Sequence, residues 1–112
     1  LLDESRLLMS IADAADRERF EISVDGEVVG FAEYHRTHSA ISFLHTEIDP
    51  AHAGEGLGTE LIAAALDAAR EEGKPVLPYC PFVRHFIRTH PEYVDLVPER
   101  RRAAFGLGEV AA

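Results

Sequence analysis

Between Leu44 and Leu66 the chain reads L-H-T-E-I-D-P-A-H-A-G-E-G-L-G-T-E-L-I-A-A-A-L. The apolar, β-branched start predicts a strand that stops at Asp49-Pro50. Three glycines at alternate positions, Gly54, Gly56 and Gly58, predict a loop. An amphipathic helix opens directly out of it, with Leu57, Leu61, Ala65 and Ala69 repeating at helical spacing and Ile62 and Leu66 beside them. A strand that feeds a glycine-rich loop and then a helix N-terminus presents backbone N–H groups that have no partner inside the helix, at the end where the dipole favours negative charge. The stretch from Gly54 to Thr59 is therefore a candidate anion site, against the plainer reading of glycines that only permit a tight connection.

The rest of the chain arranges itself around this unit. Leu7 to Ile11 is a short apolar run that fits an edge strand or part of a helix begun at Leu1, with the strand preferred, followed by a polar connection to Glu18. Arg19 to Val24 alternates, and Asp25-Gly26 is a two-residue hairpin signal. The return strand Glu27 to His35 lacks strict alternation, which predicts that both its faces are covered. Ala40 to Ile48 completes three consecutive antiparallel strands. Beyond the helix, Gly73 suits a left-handed C-cap and Lys74-Pro75 prevents continuation. Pro75 to Tyr79 then reads as a buried strand, made parallel to Ala40 to Ile48 by the intervening helix. Pro81 fits the first position of a second helix that places Phe82, Val83, Phe86 and Ile87 on one side and ends before Pro91. Tyr93, Val94 and Leu96 are expected to pack, Pro98 to Leu107 to form a helical turn or two, and the small-residue end to fray. The predicted class is α/β (α+β), an antiparallel meander followed by a strand–helix–parallel strand crossover. One domain is expected over residues 1–112, with its core about 7–96 and a tail from 97.

Composition narrows the functions available. The 11 basic and 20 acidic residues leave a net charge of −9, which opposes non-specific binding to nucleic acid. No apolar run is long enough to span a bilayer, and a cytoplasmic setting is expected. One cysteine, Cys80, excludes an internal disulfide and a cysteine-rich zinc site. His35, His38, His52, His85 and His90 show no metal-ligand spacing and read as surface or packing residues. The glycine loop lacks the Lys-Ser/Thr of a Walker A motif, and its G-x-G-x-G follows antiparallel strands rather than opening a repeated βαβ unit, which departs from the dinucleotide fingerprint.

The order of elements, together with H-T-E-I (His45 to Ile48), A-G-E-G-L-G (Ala53 to Gly58) and P-Y-C-P-F-V (Pro78 to Val83) followed by H-P-E-Y (His90 to Tyr93), resembles the GNAT superfamily of acyl-CoA N-acyltransferases, and within it the short, single-domain minimal N-acetyltransferases. The likeness covers roughly residues 19–96. It implies acetyl-CoA as co-substrate and acetylation of a small amine or a peptide amine. It implies that Gly54, Glu55, Gly56, Leu57, Gly58 and Thr59 hold the pyrophosphate through their backbone, and that the main chain around Thr46 to Ile48 pairs with the pantetheine arm like an added strand. The family's loop usually carries Gln or Arg where Ala53 stands, so one side-chain contact is missing while the backbone donors remain. The positions of a helix tyrosine and a preceding asparagine in larger members correspond here to Ile87 and Cys80.

Three residues carry the chemistry in this reading. Cys80, at a strand end and a helix N-terminus, suits an acetyl-accepting nucleophile or an acid/base beside the CoA sulfur, or is a small buried filler. His45 and Glu47 share a strand face, and either could accept the amine proton, directly or through water; alternatively His45 is a core histidine and Glu47 a partner for its ring or for an Arg. Arg84, with Arg88 four residues on, could reach cofactor phosphates or form a solvated face. Direct transfer is favoured over an acetyl-Cys80 intermediate, and a CoA-binding module without catalysis is the competing class.

Overall fold

Asp25 and Gly26 take φ of 52° and 85°, the left-handed pair that a two-residue hairpin needs, and this turn sets the first registers of the sheet. In the computed structural model, which describes residues 8–108, β1 (Met9–Ala14), β2 (Arg19–Val24), β3 (Glu27–Arg36) and β4 (Ile41–Ile48) run antiparallel in chain order, and β5 (Val76–Pro78) lies parallel to β4. α1 (Leu57–Glu72) makes the crossover, and α2 (Pro81–Thr89) follows β5. A 3-10 segment (Pro91–Leu96) and the short α3 (Glu99–Arg102) come next. The sheet is thus mixed, with helices in the expected order.

The first strand differs in extent from its sequence pattern. Leu7 lies outside the described residues, and β1 runs through Ala14 into the polar stretch read as a connection, which shrinks to a single 3-10 turn (Ala15–Arg17). β1 is an edge strand whose pairing with β2 is a backbone matter, and only Ile11 and Ala14 are half-buried on it. Polarity therefore did not end it. Asp13 near its end accepts a hydrogen bond from the Tyr34 hydroxyl, and Arg36 bridges Asp13 and Glu72 at 2.9 and 2.8 Å. These bonds tie β1, β3 and α1 together.

Two bulges shape the central strands. Ile22 pairs with Gly30 but Ser23 with Val28, so Val29 is an extra residue on β3. This insertion breaks the alternation of the return strand. Both faces are not covered, as Val28 is 45% exposed. In β4, Phe43 pairs with Tyr34 but His45 with Glu33, leaving Leu44 as the extra residue. Ile41 and Phe43 point into the core before the bulge, whereas the half-buried positions after it are Thr46 and Ile48.

The core lies between one sheet face and the helices. Phe20, Ile22, Tyr34, Ile41 and Phe43 from the strands meet Leu61, Ile62, Ala65 and Leu66 of α1 and Val83, Phe86 and Ile87 of α2. Gly73 closes α1 with φ 70°, its N–H bonded to the Arg70 carbonyl. Phe82 departs from the expected apolar side of α2 and is 40% exposed. Packing continues past Leu96, because Val97, Phe105 and Leu107 are buried in the same core. Residues 109–112, where the small-residue end falls, lie outside the described part.

Candidate active site

The site forms where β4 outruns its parallel neighbour. β5 pairs with β4 only at Ile41–Val76, Ser42–Leu77 and Phe43–Pro78. One further bond, from the Cys80 N–H to the Phe43 carbonyl at 2.9 Å, closes the seam. From Leu44 to Ile48, β4 is paired with β3 alone, so its other edge is open among the described residues. Such an edge offers N–H and C=O groups to a strand-like partner.

The glycine loop sits at the far end of this open edge. Pro50–His52 forms one 3-10 turn, capped by the Asp49 carboxylate, which accepts from the Ala51 N–H at 3.0 Å. Gly54 and Gly56 then take φ of 82° and 81°, and a Cβ built on either would meet nothing within 4 Å. Gly56 is the N-cap of α1 and supplies no side-chain cap, so the first-turn amides face outward without a partner from the helix. Ile48, Gly54, Gly56, Leu57, Gly58 and Thr59 line a hollow of about 240 Å³ here. Phe82 borders it, and a Cβ on Gly58 would come within 2.8 Å of the Phe82 ring. That contact explains why Phe82 stays outside the core: its ring packs over the start of α1. Helical spacing identifies a face but not this neighbour.

His52 also lines the hollow, and its Nδ1 meets Glu55 Oε1 at 2.8 Å. The hydrogen bond to Glu55 raises the imidazole pKa above its ordinary value. Sequence reasoning assigned His52 no role, although its three-residue spacing from Glu55 was visible. Arg84 is half-buried on α2 and forms no ion pair among the described residues. It lies two residues beyond Phe82.

Cys80 is 3% exposed and stands at the point where the two strands separate. Its Sγ lies 3.4 Å from Thr46 Oγ1, across the gap, so Thr46 and Cys80 face each other on the helix side of the sheet. His45 and Glu47 occupy the opposite side. They project with Phe31, whose neighbours Ala32 and Gly30 are buried, and the His45 Nε2 lies 2.9 Å from Glu47 Oε2. Both side chains are more than half exposed, so His45 is a solvent-facing histidine with a carboxylate partner rather than a core histidine. The structure thus brings Thr46 together with Cys80, and His45 together with Glu47, on two faces of one open strand. Among the described residues no group of His, Cys, Asp and Glu could hold a metal ion, and no helix is long and apolar enough to cross a membrane.

A streptothricin acetyltransferase from Streptomyces lavendulae is 35% identical over 63 residues, covering 54% of this chain. The match spans 33% of that relative, so the chain corresponds to about a third of its length. The model of the GCN5-related N-acetyltransferase family matches residues 19–96, which takes in β2 to β5, the glycine loop, α1, α2 and the cysteine between β5 and α2. With that match extending over more than half of its length, the chain belongs to the GCN5-related N-acetyltransferase family.

Proposed function

We propose that the protein catalyses acetyl-CoA-dependent N-acetylation of a small amine or a peptide amine by direct transfer. The observation that carries this reading is the pair of unpaired backbone stretches, the β4 edge at Leu44–Ile48 and, across one 3-10 turn, the first-turn amides of α1. An open strand edge followed by free helix N-terminal donors suits a ligand with an extended arm and a pyrophosphate. Backbone amides between Gly54 and Thr59 hold the phosphates, the main chain near Thr46 and Ile48 pairs with the arm, and Arg84 contributes charge from α2. When bound, acetyl-CoA supplies the acetyl group as a thioester. Glu47, or His45 with Glu47 behind it, takes the proton that the amine must lose to become a nucleophile. Exposure of both groups on the open face lets an acceptor reach them directly.

The rival route, transfer through an acetyl group on Cys80, is supported by the thiol's position at the mouth of the gap beside Thr46. Intact-protein mass measurement at early times after mixing with acetyl-CoA, without an acceptor, separates the routes. Direct transfer predicts unmodified protein and thiol release only when an amine is added; early mass gain on Cys80 overturns it. Cofactor binding with no thiol release across a panel of amines would favour a CoA-binding module.

The His52–Glu55 pair makes cofactor affinity depend on pH. The hydrogen bond to Glu55 raises the folded pKa of His52 above its ordinary value, so its cationic form, which lies beside the phosphate hollow, prevails at low pH and is lost as pH rises through the raised value. CoA affinity of the wild type is therefore expected to fall a few-fold more steeply across that window than affinity of His52→Gln. Calorimetric titration at several pH values compares them, and parallel profiles would remove His52 from the site.

A further inference from the structure

A second charged feature lies at the other end of α1. Arg17, Arg19, Arg36 and Arg70 are each matched to a carboxylate. Lys74, Arg100, Arg101 and Arg102 have no such partner among the described residues, although the chain carries 20 acidic side chains. All four line one groove of about 670 Å³. Three of them are pinned by neutral acceptors: Lys74 Nζ donates to the Thr37 carbonyl at 2.6 Å, Arg101 to the Tyr79 hydroxyl at 3.0 Å, and Arg102 Nε to the Val97 carbonyl at 2.8 Å. These bonds fix where the cations stand without neutralising them. Of the two carboxylates in the lining, Asp95 is held by Arg70 through bonds of 2.8 and 3.1 Å, which leaves Glu99 against the four.

The groove is separate from the phosphate hollow. It is bordered by Arg70 and Lys74 at the end of α1, whereas the glycines stand at its start, and 16 residues of helix span about 24 Å. It adjoins the opposite end of the site. Leu77 lines it and is in register with Ser42. Val76 and Pro78 point into the core, so Leu77 faces the other side of the sheet, where His45 and Glu47 stand. Ser42 pairs with His35 and His45 with Glu33, the bulged Leu44 adding no step, so His45 lies two β3 residues beyond Ser42, about 7 Å away at a strand's rise per residue. Arg101 grips Tyr79, the residue before Cys80.

We infer that this groove recognises an anionic group, a carboxylate or a phosphate, carried by the amine acceptor at least about 7 Å from the nitrogen that is acetylated. The inference rests on the transfer reading above and names its acceptor class: a peptide or similarly extended amine with a negative charge some two to three residues from its amine. A free α-amino acid, whose amine and carboxylate share one carbon, is too short to use both places.

The test uses the 112-residue chain and C-terminally amidated peptides Ala-Ala-Ala-Glu and Ala-Ala-Ala-Gln, with a phosphoserine peptide of the same length. Thiol release from acetyl-CoA is expected to show KM about tenfold or more lower for the Glu peptide than for the Gln peptide, the worth of one charge-assisted hydrogen bond, at similar kcat. The double variant Lys74→Gln/Arg100→Gln should remove that advantage and leave KM for the Gln peptide unchanged. A larger advantage for phosphoserine assigns the group as phosphate and the reverse as carboxylate, and both support the inference. NMR titration with the N-acetylated forms of the same peptides, without acetyl-CoA, reads binding independently of transfer. Preference for the acidic peptide there, lost in the double variant, upholds the groove even if no amine is acetylated and the transfer reading falls. Equal binding of Glu and Gln peptides, or a preference that survives the double variant, overturns the inference.

Discussion

Gly56→Asp is expected to abolish measurable CoA binding while the protein still folds. Gly56 has φ of 81°, and nothing lies within 4 Å of the position its Cβ would take, so the new side chain projects into the hollow rather than into neighbouring atoms. Two effects then separate. A non-glycine residue in the left-handed region costs about 1–2 kcal/mol of stability. A carboxylate about 4 Å from a phosphate charge costs about 4 kcal/mol of binding at the effective dielectric of a protein surface, which corresponds to a loss of almost a thousandfold. Gly56→Ala isolates the first effect, since it carries the same strain without charge, and its affinity should fall much less. Calorimetry of CoA binding and thermal melting of both variants measure the two. Equal affinities for the Ala and Asp variants would mean that the loop does not face the phosphates.

Local chemistry was legible in the sequence wherever one residue decides one geometry. Asp25-Gly26, Gly73 and Pro81 are of this kind: each satisfies a backbone need that few other residues meet, and each stands where its type predicts. The mixed sheet followed, because a helix between two strands forces a parallel crossover. So did the shared face of His45 and Glu47. What stayed hidden depends on a partner strand or a distant segment. The bulges at Val29 and Leu44 are offsets between neighbours, invisible in either strand alone. The approach of Thr46 to Cys80 and the packing of Phe82 over Gly58 both join residues more than twenty positions apart. The cationic groove gathers Lys74 with the Arg100–Arg102 run, which the sequence leaves open between a reach to cofactor phosphates and relief of the acidic balance. Strand β1 was under-read because an edge strand needs backbone pairing more than an apolar pattern.

Phe43→Ala is expected to produce the largest loss of stability in the chain and to loosen the site with it. Phe43 is 1% exposed, and its ring centroid lies 6.3 Å from each of those of Phe20 and Tyr34. Removing it leaves a cavity between three strands, a change that costs about 3–5 kcal/mol, a large share of the roughly 5–15 kcal/mol that holds a domain of this size folded. At about 4–8 °C per kcal/mol, melting should fall by roughly 12–40 °C. The same residue's carbonyl accepts the Cys80 N–H, the last link before β4 and β5 part. A cavity beside that link lets the seam open further, so Cys80, almost fully buried in the wild type, should react faster with iodoacetamide even well below the melting point. Phe43→Leu fills much of the volume and should show smaller changes in both measurements. If Phe43→Ala melts within about 5 °C of the wild type, the aromatic cluster is not the centre of the core. If it melts early but Cys80 stays protected in the folded protein, the seam is held by the helix that follows rather than by the strand pair.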